Sequence, residues 1–197
     1  MGVPFVGLTG GLGVGKSEAL RLLGELGALT LSTDAIVHEL LTGDELRELV
    51  SGRLGDDVVS DGRLDRLAIA ERVFGDDAAR SWLEDTLWPR VGERVAAWRR
   101  EVDAAEDPPR AAVVEVPLLF ESNMEGVFDH TVAVVADEAV RERRAAQRGH
   151  AAVPERSVRQ LTQAEKAQRA DFTVRNDGSL DELRDSLSRV LAKLGSK

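Results

Sequence analysis

The stretch Val3–Leu20, VPFVGLTGGLGVGKSEAL, decides the fold class. An apolar run ends at Thr9, four glycines follow within six residues, and Lys16 and Ser17 open the next segment. The apolar run is typical of a strand that is buried on both faces, and the leucine spacing through Lys16–Leu26 predicts a helix. Glycines between two such elements indicate that the backbone must approach a ligand closely.

Residues Gly10–Ser17 fit the phosphate-loop pattern G-x-x-x-x-G-K-[ST] in the required context, between a predicted strand and a predicted helix. Loop amides and the helix N-terminus would bind phosphate oxygens, Lys16 would reach the β- and γ-phosphates, and Ser17 would bind Mg²⁺. The alternative is a glycine-rich turn with a solvated lysine, and the flanking elements favour phosphate binding. The expected nucleotide-binding residues here are Gly11, Gly13, Val14, Gly15, Lys16, Ser17 and Glu18.

The remainder of the chain alternates predicted strands with predicted helices. Runs rich in β-branched or apolar residues predict strands at Ala28–Ser32, Ala111–Val116, Thr131–Val135 and Phe172–Val174. Helical spacing predicts helices at Leu64–Phe74, Trp82–Val102, Glu138–Arg148 and Leu180–Leu194, the last opened by a capping box of Ser179 and Glu182. Such alternation predicts an α/β fold, with a parallel sheet covered by helices on both faces.

Composition excludes several classes of protein. The 197 residues suit one α/β domain with an appended subdomain, and 43% hydrophobic with 31% charged residues is a globular balance. The absence of cysteine excludes disulfides and thiolate metal sites. A net charge of -9 would repel nucleic acid, so any bound phosphate must meet a local basic site. Since no apolar stretch approaches the ~20 residues of a membrane span and no signal-peptide pattern is present, we expect a cytoplasmic protein without membrane contact.

Asp34 is the first candidate catalytic residue outside the loop. It follows the second predicted strand, and open α/β sheets bind ligands at the carboxyl ends of their strands. A carboxylate there could orient or deprotonate a hydroxyl that attacks a γ-phosphate, or Asp34 or Thr33 could cap the following helix. Both interpretations stay open. One turn on, His38 is expected to face solvent rather than ligand.

Two further sets of charged residues are candidates for phosphoryl chemistry. Glu115 ends the third predicted strand and is a weak candidate for an acid that positions a metal. Arg141, Arg144 and Arg148 recur at spacings of three and four, so they share one helix face. Such arginines could clamp a transferring phosphate, or they could belong to a solvated, salt-bridged helix.

The ordered set of motifs resembles the dephospho-CoA kinase family along nearly the whole chain. The phosphate loop alone is generic, but the set with its spacings is specific. In chain order the matches are GLTGGLGVGKS, TDAIVHE, DGRLDR with VF shortly after, LED and WP, VVEVPLLFE, Arg144 with Arg148, Gln160 to Lys166, and ADFTVRNDG.

The resemblance implies a three-layer P-loop kinase fold with a five-stranded parallel sheet. It implies a core of about 1–58, 108–138 and 168–197, a helical substrate-binding insertion of about 59–107, and a mobile lid of about 139–167. The implied reaction is phosphorylation of the ribose 3′-hydroxyl of dephospho-CoA by MgATP, the last step of coenzyme A synthesis, by a monomer or small homo-oligomer. The implied catalytic residues are Asp34, Lys16 and Arg144, with Arg148 assisting nucleotide binding and Ser17 binding the metal.

Four positions depart from the family pattern. Ser32 stands where the family often has an acid, Trp88 where it usually has histidine, and Glu18 where threonine is common, while Arg175 is also unusual. None of these removes the phosphate loop, but they leave the finer substrate contacts open. Two alternative functions also stay open: a related small-molecule kinase of the same fold, and a regulatory NTP-binding switch.

Overall fold

A computed structural model describes residues 2–147 and 160–195, the side chains of 145–147 excepted. The strands are β1 Phe5–Gly10, β2 Leu29–Ser32, β3 Val59–Ser60, β4 Arg63–Leu64, β5 Ala112–Glu115, β6 His130–Val135 and β7 Phe172–Arg175. The helices are α1 Lys16–Glu25, α2 Thr33–Leu40, α3 Asp44–Leu54, α4 Arg66–Val73, α5 Asp77–Asp103, α6 Glu138–Gln147, α7 Gln163–Arg169 and α8 Leu180–Leu194.

Five strands form one parallel sheet in the order β2-β5-β1-β6-β7. The central strand β1 pairs with β5 on one side and β6 on the other, and all six of its residues are buried. This burial explains why its sequence is a continuous apolar run rather than an alternating one. The predicted α/β fold with a five-stranded parallel sheet is confirmed.

The two faces of β1 pack against different parts of the chain. Val6 and Leu8 belong to the core that the sheet shares with α1 and α8. On the other face, Phe5 stacks near Phe128 at a centroid distance of 4.8 Å, and Gly7 leaves room for the same ring. Because successive side chains of a strand point to opposite faces, β1 contributes to the apolar packing on both faces of the sheet.

Helix α8 occupies the range that its sequence predicts, Leu180–Leu194. The predicted capping box is present: Ser179 Oγ accepts from the Glu182 backbone N–H, and the Glu182 carboxylate accepts from the Ser179 N–H. The leucines spaced by three or four residues are buried on one face, namely Leu183, Leu187, Leu191 and Leu194. Local capping and burial of this face thus support the same helix boundaries.

The chain divides into two compact units, residues 1–32 with 99–197, and residues 33–98. The second unit has its own apolar core, to which α3 contributes Leu46, Val50 and Leu54. Residues 33–58 therefore group with the helical unit, whereas sequence reasoning assigned them to the nucleotide-binding core. The assignment of 59–107 to substrate binding and of 139–167 to a lid stays a prediction.

Sequence reasoning missed α3 and the small hairpin β3–β4. The hairpin joins its strands through Asp61 and Gly62, both at positive φ (51° and 73°). An Asp-Gly pair is a strong signal for such a turn, because both central residues must adopt left-handed angles. Among the helices of the described residues, none is long and apolar enough to cross a membrane.

Candidate active site

The phosphate loop connects the carboxyl end of β1 to the N-terminus of α1. Gly13 and Gly15 lie at φ 77° and 89°, a left-handed conformation that side chains disfavour. Gly15 is the residue before α1, and within the described residues no side chain caps this helix. A glycine-rich loop before a helix N-terminus of this kind binds anions, as the motif predicts.

Lys16 and Ser17 are the first two residues of α1. Lys16 Nζ donates to the Gly11 carbonyl at 3.0 Å, so the lysine side chain lies along the loop rather than in the apolar core. Ser17 is exposed at the same helix end. An ammonium and a hydroxyl at a glycine-rich helix N-terminus are the groups that a triphosphate with its metal requires.

Two arginines of α6 hold the phosphate loop. Arg141 Nε donates to the Leu12 carbonyl at 2.9 Å, and Arg144 Nη1 lies 3.5 Å from the Val14 carbonyl. Since residues 141 and 144 lie on one helix face and both contact the loop, this face is not simply a solvated one. The third arginine of the series, Arg148, lies outside the described residues.

Asn176, directly after β7, is the residue that sequence reasoning missed at this site. It is 4% exposed, and its Nδ2 donates to the Val14 carbonyl at 2.8 Å. Arg144 donates to both its backbone oxygen and its side-chain oxygen, at 3.0 and 3.3 Å. Its sequence signals were its place in a short Asn-Asp-Gly turn after a strand and in the family motif ADFTVRNDG.

The neighbouring Arg175, one of the departures from the family pattern, takes no part in these contacts. It is exposed and forms ion pairs with Asp137 and Asp177 at 2.6 and 2.7 Å. The pKa of this guanidinium is raised above its usual value. The largest cause is its hydrogen bond to Asp177, followed by the charges of Asp177 and Asp137. Arg175 therefore braces the turn at the surface, whereas Asn176 reaches the phosphate loop.

The remaining candidate residues lie outside the phosphate loop and α6. Asp34 is the second residue of α2, exposed, and makes no hydrogen bond or ion pair with any residue that the structure describes. Helix α2 begins at Thr33, so Asp34 lies within the first turn rather than before it. His38 is exposed, with Nδ1 3.5 Å from Arg66. Glu115 is buried at the carboxyl end of β5, where it is in register with Leu8 of β1.

The family of the chain follows from comparison with known proteins. The family model for dephospho-CoA kinase matches residues 4–182. The chain belongs to the dephospho-CoA kinase family. A dephospho-CoA kinase of Protochlamydia amoebophila is 38% identical over 194 residues, covering 96% of this chain and 95% of that protein. Another, from Thermobifida fusca, is 38% identical over 200 residues, covering 96% and 95%.

Solved structures share the fold of this chain. TT1252 from Thermus thermophilus superposes with a TM-score of 0.82 at 33% identity, covering 98% of this chain and 99% of that one. A dephospho-CoA kinase from Campylobacter jejuni, at 23% identity and a TM-score of 0.66, covers 98% of each chain and supports the fold. The dephospho-CoA kinase family catalyses the last step of coenzyme A synthesis with ATP as co-substrate.

A magnesium ion at a phosphoryl-transfer site needs few protein ligands. Within residues 2–147 and 160–195, no cluster of three histidine, cysteine or acidic side chains could hold a metal. Magnesium at phosphoryl-transfer sites is usually bound by one or two protein oxygens together with substrate phosphates and waters. The hydroxyl of Ser17 at the loop therefore fits the ion as a single protein ligand.

Two residues of the family motifs, Glu121 and Lys166, form a buried ion pair. Lys166 is 2% exposed; its Nζ lies 2.9 Å from Glu121 Oε1 and donates to the Pro117 carbonyl at 2.7 Å. The same carbonyl accepts from Thr9 Oγ1, just before the phosphate loop, and Glu121 Oε1 accepts from the Leu161 N–H. This kinase thus uses a buried pair to dock α7 beside the loop that follows β5.

We expect Lys166→Met to lower the free energy of unfolding by about 3–5 kcal/mol, because it leaves the Glu121 carboxylate buried without its cation. Chemical denaturation measures the loss. The double variant Lys166→Met/Glu121→Gln should recover a large part of it, since no unpaired charge then remains. A loss below about 1 kcal/mol in the single variant would contradict a buried pair.

Proposed function

We propose that this chain transfers the γ-phosphoryl group of MgATP to the ribose 3′-hydroxyl of dephospho-CoA, through the residues of the phosphate loop and α6 together with Asp34. The observation that carries the proposal is the loop itself, whose glycines at positive φ precede a helix that begins with Lys16 and Ser17 and that no side chain of the described residues caps. Phosphoryl transfer depends mostly on positioning and on neutralising charge, and this loop supplies both.

Each group has a defined task in this mechanism. Backbone amides of Gly11–Gly15 and of the first turn of α1 bind the triphosphate. Lys16 exchanges its bond to the Gly11 carbonyl for phosphate oxygens. Ser17 would hold Mg²⁺, which would supply positive charge to offset that of the β- and γ-phosphates. Once the nucleotide is bound, these groups are in place, so little reorganisation is needed at the moment of transfer.

Asp34 and Arg144 have the two remaining tasks in the proposed reaction. Asp34 orients the incoming 3′-hydroxyl and accepts its proton, a task suited to an exposed carboxylate without a competing partner among the described residues. Arg144 already donates to the loop and stabilises the charge of the transferred group, with Arg148 as a second donor. Mg²⁺ dependence, a cytoplasmic location and a monomeric or small homo-oligomeric state remain predictions.

A panel of acceptors tests the proposed substrate. ADP release is coupled to a spectrophotometric readout and compared for dephospho-CoA, nucleoside monophosphates, gluconate and shikimate. We expect stoichiometric ATP consumption with dephospho-CoA, with the other compounds slower by at least about 10²-fold in kcat/KM. The shikimate arm is informative because a shikimate kinase from Bacteroides thetaiotaomicron shares the fold at 12% identity and a TM-score of 0.52. Preferred turnover of any other acceptor would overturn the assignment.

A further inference from the structure

The phosphate loop is tied to the far edge of the sheet through one side chain. Asn176 follows β7, the edge strand, and its backbone N–H donates to the Val135 carbonyl of β6 at 2.8 Å. Its side-chain Nδ2 donates to the Val14 carbonyl, also at 2.8 Å. The residue therefore has one bond to the sheet and one to the loop, and at 4% exposure both are shielded from water.

The orientation of the Asn176 carboxamide follows from its two neighbours. A carbonyl oxygen accepts and cannot donate, so the NH₂ group must face Val14. The guanidinium of Arg144 only donates, so the amide oxygen faces it, at 3.3 Å. Every polar group of the side chain has a partner of the correct type, and exchange of its oxygen and nitrogen would break both contacts.

The bond to Val14 determines where the next amide points. The Val14 carbonyl and the Gly15 N–H belong to one peptide group, and in a planar trans peptide they point in opposite directions. Gly15 lies at φ 89°, and without a Cβ it has a wide range of allowed backbone angles. The peptides on either side of it can therefore rotate unless a contact holds them. By holding the carbonyl on one side, Asn176 directs the Gly15 N–H to the opposite side.

Close packing restricts the orientation of the peptide between residues 14 and 15 while Asn176 is present. A side chain at Gly15 would collide with Asn176 Nδ2 and would also approach Arg144 Nη1, at 3.7 Å from its Cβ. The Val14 side chain is fully buried in the core beneath. The peptide between residues 14 and 15 is therefore held from the core side and from the Asn176 side at once.

We propose that Asn176 is a positioning residue for ATP: by binding the Val14 carbonyl it orients the Gly15 N–H toward the triphosphate. This inference rests on the proposed function of the loop. Its predicted contribution is to the affinity for the nucleotide. It is not expected to contribute to acceptor binding or to the stability of the core. A residue that only fastened the end of β7 to the sheet would affect stability and leave nucleotide affinity unchanged.

Asn176→Asp is the sharpest substitution, because it keeps the size of the side chain and its acceptor for Arg144. It replaces the Nδ2 donor with an oxygen, which would face the Val14 carbonyl at 2.8 Å and repel it. Arg175→Ala is the matched control. Arg175 is the preceding residue, but it is exposed and pairs with Asp137 and Asp177 rather than with the loop.

The experiment measures the dissociation constant of a non-hydrolysable ATP analogue, the KM values for ATP and dephospho-CoA, and the melting temperature of each variant. For Asn176→Asp we expect the dissociation constant and KM of ATP to rise by at least about tenfold. The KM of dephospho-CoA should stay within about twofold, and the control should keep the wild-type values of all three constants. Asn176→Ala is measured in parallel, and a rise in the ATP constants with unchanged KM for dephospho-CoA is expected there as well.

Two outcomes would overturn the proposal. One is a folded variant whose affinity for the analogue equals that of wild type. The other is failure of both variants to fold, because Asn176 would then be required for the stability of the core. Analogue binding needs no turnover, so a wild-type protein that binds ATP but does not phosphorylate dephospho-CoA would refute the proposed reaction while leaving the role of Asn176 testable.

Discussion

Lys16→Ala is expected to lower kcat by about 10²-fold or more, because it removes a cation that stabilises charge on the transferring phosphate. The fold should survive. The Lys16 side chain is half-buried along the loop, and its Nζ donates to the Gly11 carbonyl, a bond that water can replace. The melting temperature should therefore stay within a few degrees of wild type, at about 1 kcal/mol or less of lost stability.

Turnover and melting are measured on one preparation of Lys16→Ala. Lys193→Ala serves as the matched control, because Lys193 is an exposed lysine of α8 in the same compact unit, outside the phosphate loop. The control should turn over like wild type. Near-normal kcat in purified Lys16→Ala would remove the phosphate loop from the mechanism.

Asp34→Asn is expected to slow phosphorylation of dephospho-CoA by roughly 10²–10⁴-fold, the usual contribution of a positioned acid–base group. Asparagine keeps the size of the side chain and removes its charge and basicity. Asp34 is exposed in the first turn of α2, so losing its interaction with the helix N-terminus should cost only about 0.3–1 kcal/mol. MgATP binding should be retained.

The required data are a melting curve, an ATP titration and a turnover number. Asp44→Asn is the control, since Asp44 is an exposed acid in the first turn of α3 in the same compact unit. It should melt slightly lower and react at the wild-type rate. If Asp34→Asn stays within about threefold of wild-type turnover, the role of Asp34 is confined to its helix.

Local sequence patterns were sufficient to predict the nucleotide-binding half of the fold. Five parallel strands and α8 lie where apolar runs and helical spacing place them, and the loop from Gly10 to Ser17 has the predicted strand-loop-helix context. The roles of Lys16, Ser17 and Asp34 are still predictions that kinetics must test. Patterns over a few residues succeed here because strand alternation, helix spacing and capping each involve near neighbours in the chain.

The tertiary structure alone decided the contacts between distant segments. Asn176 meets Val14 across 162 residues, and Lys166 meets Glu121 across 45. The family motifs include all four of these residues. The motifs do not indicate which residue binds which. Short-range preferences depend on residues three or four positions apart, whereas these pairs form only after parallel strands bring their carboxyl ends to one edge of the sheet. The sequence by itself therefore determined the fold class and the phosphate loop, and packing of the sheet decided which side chains hold that loop.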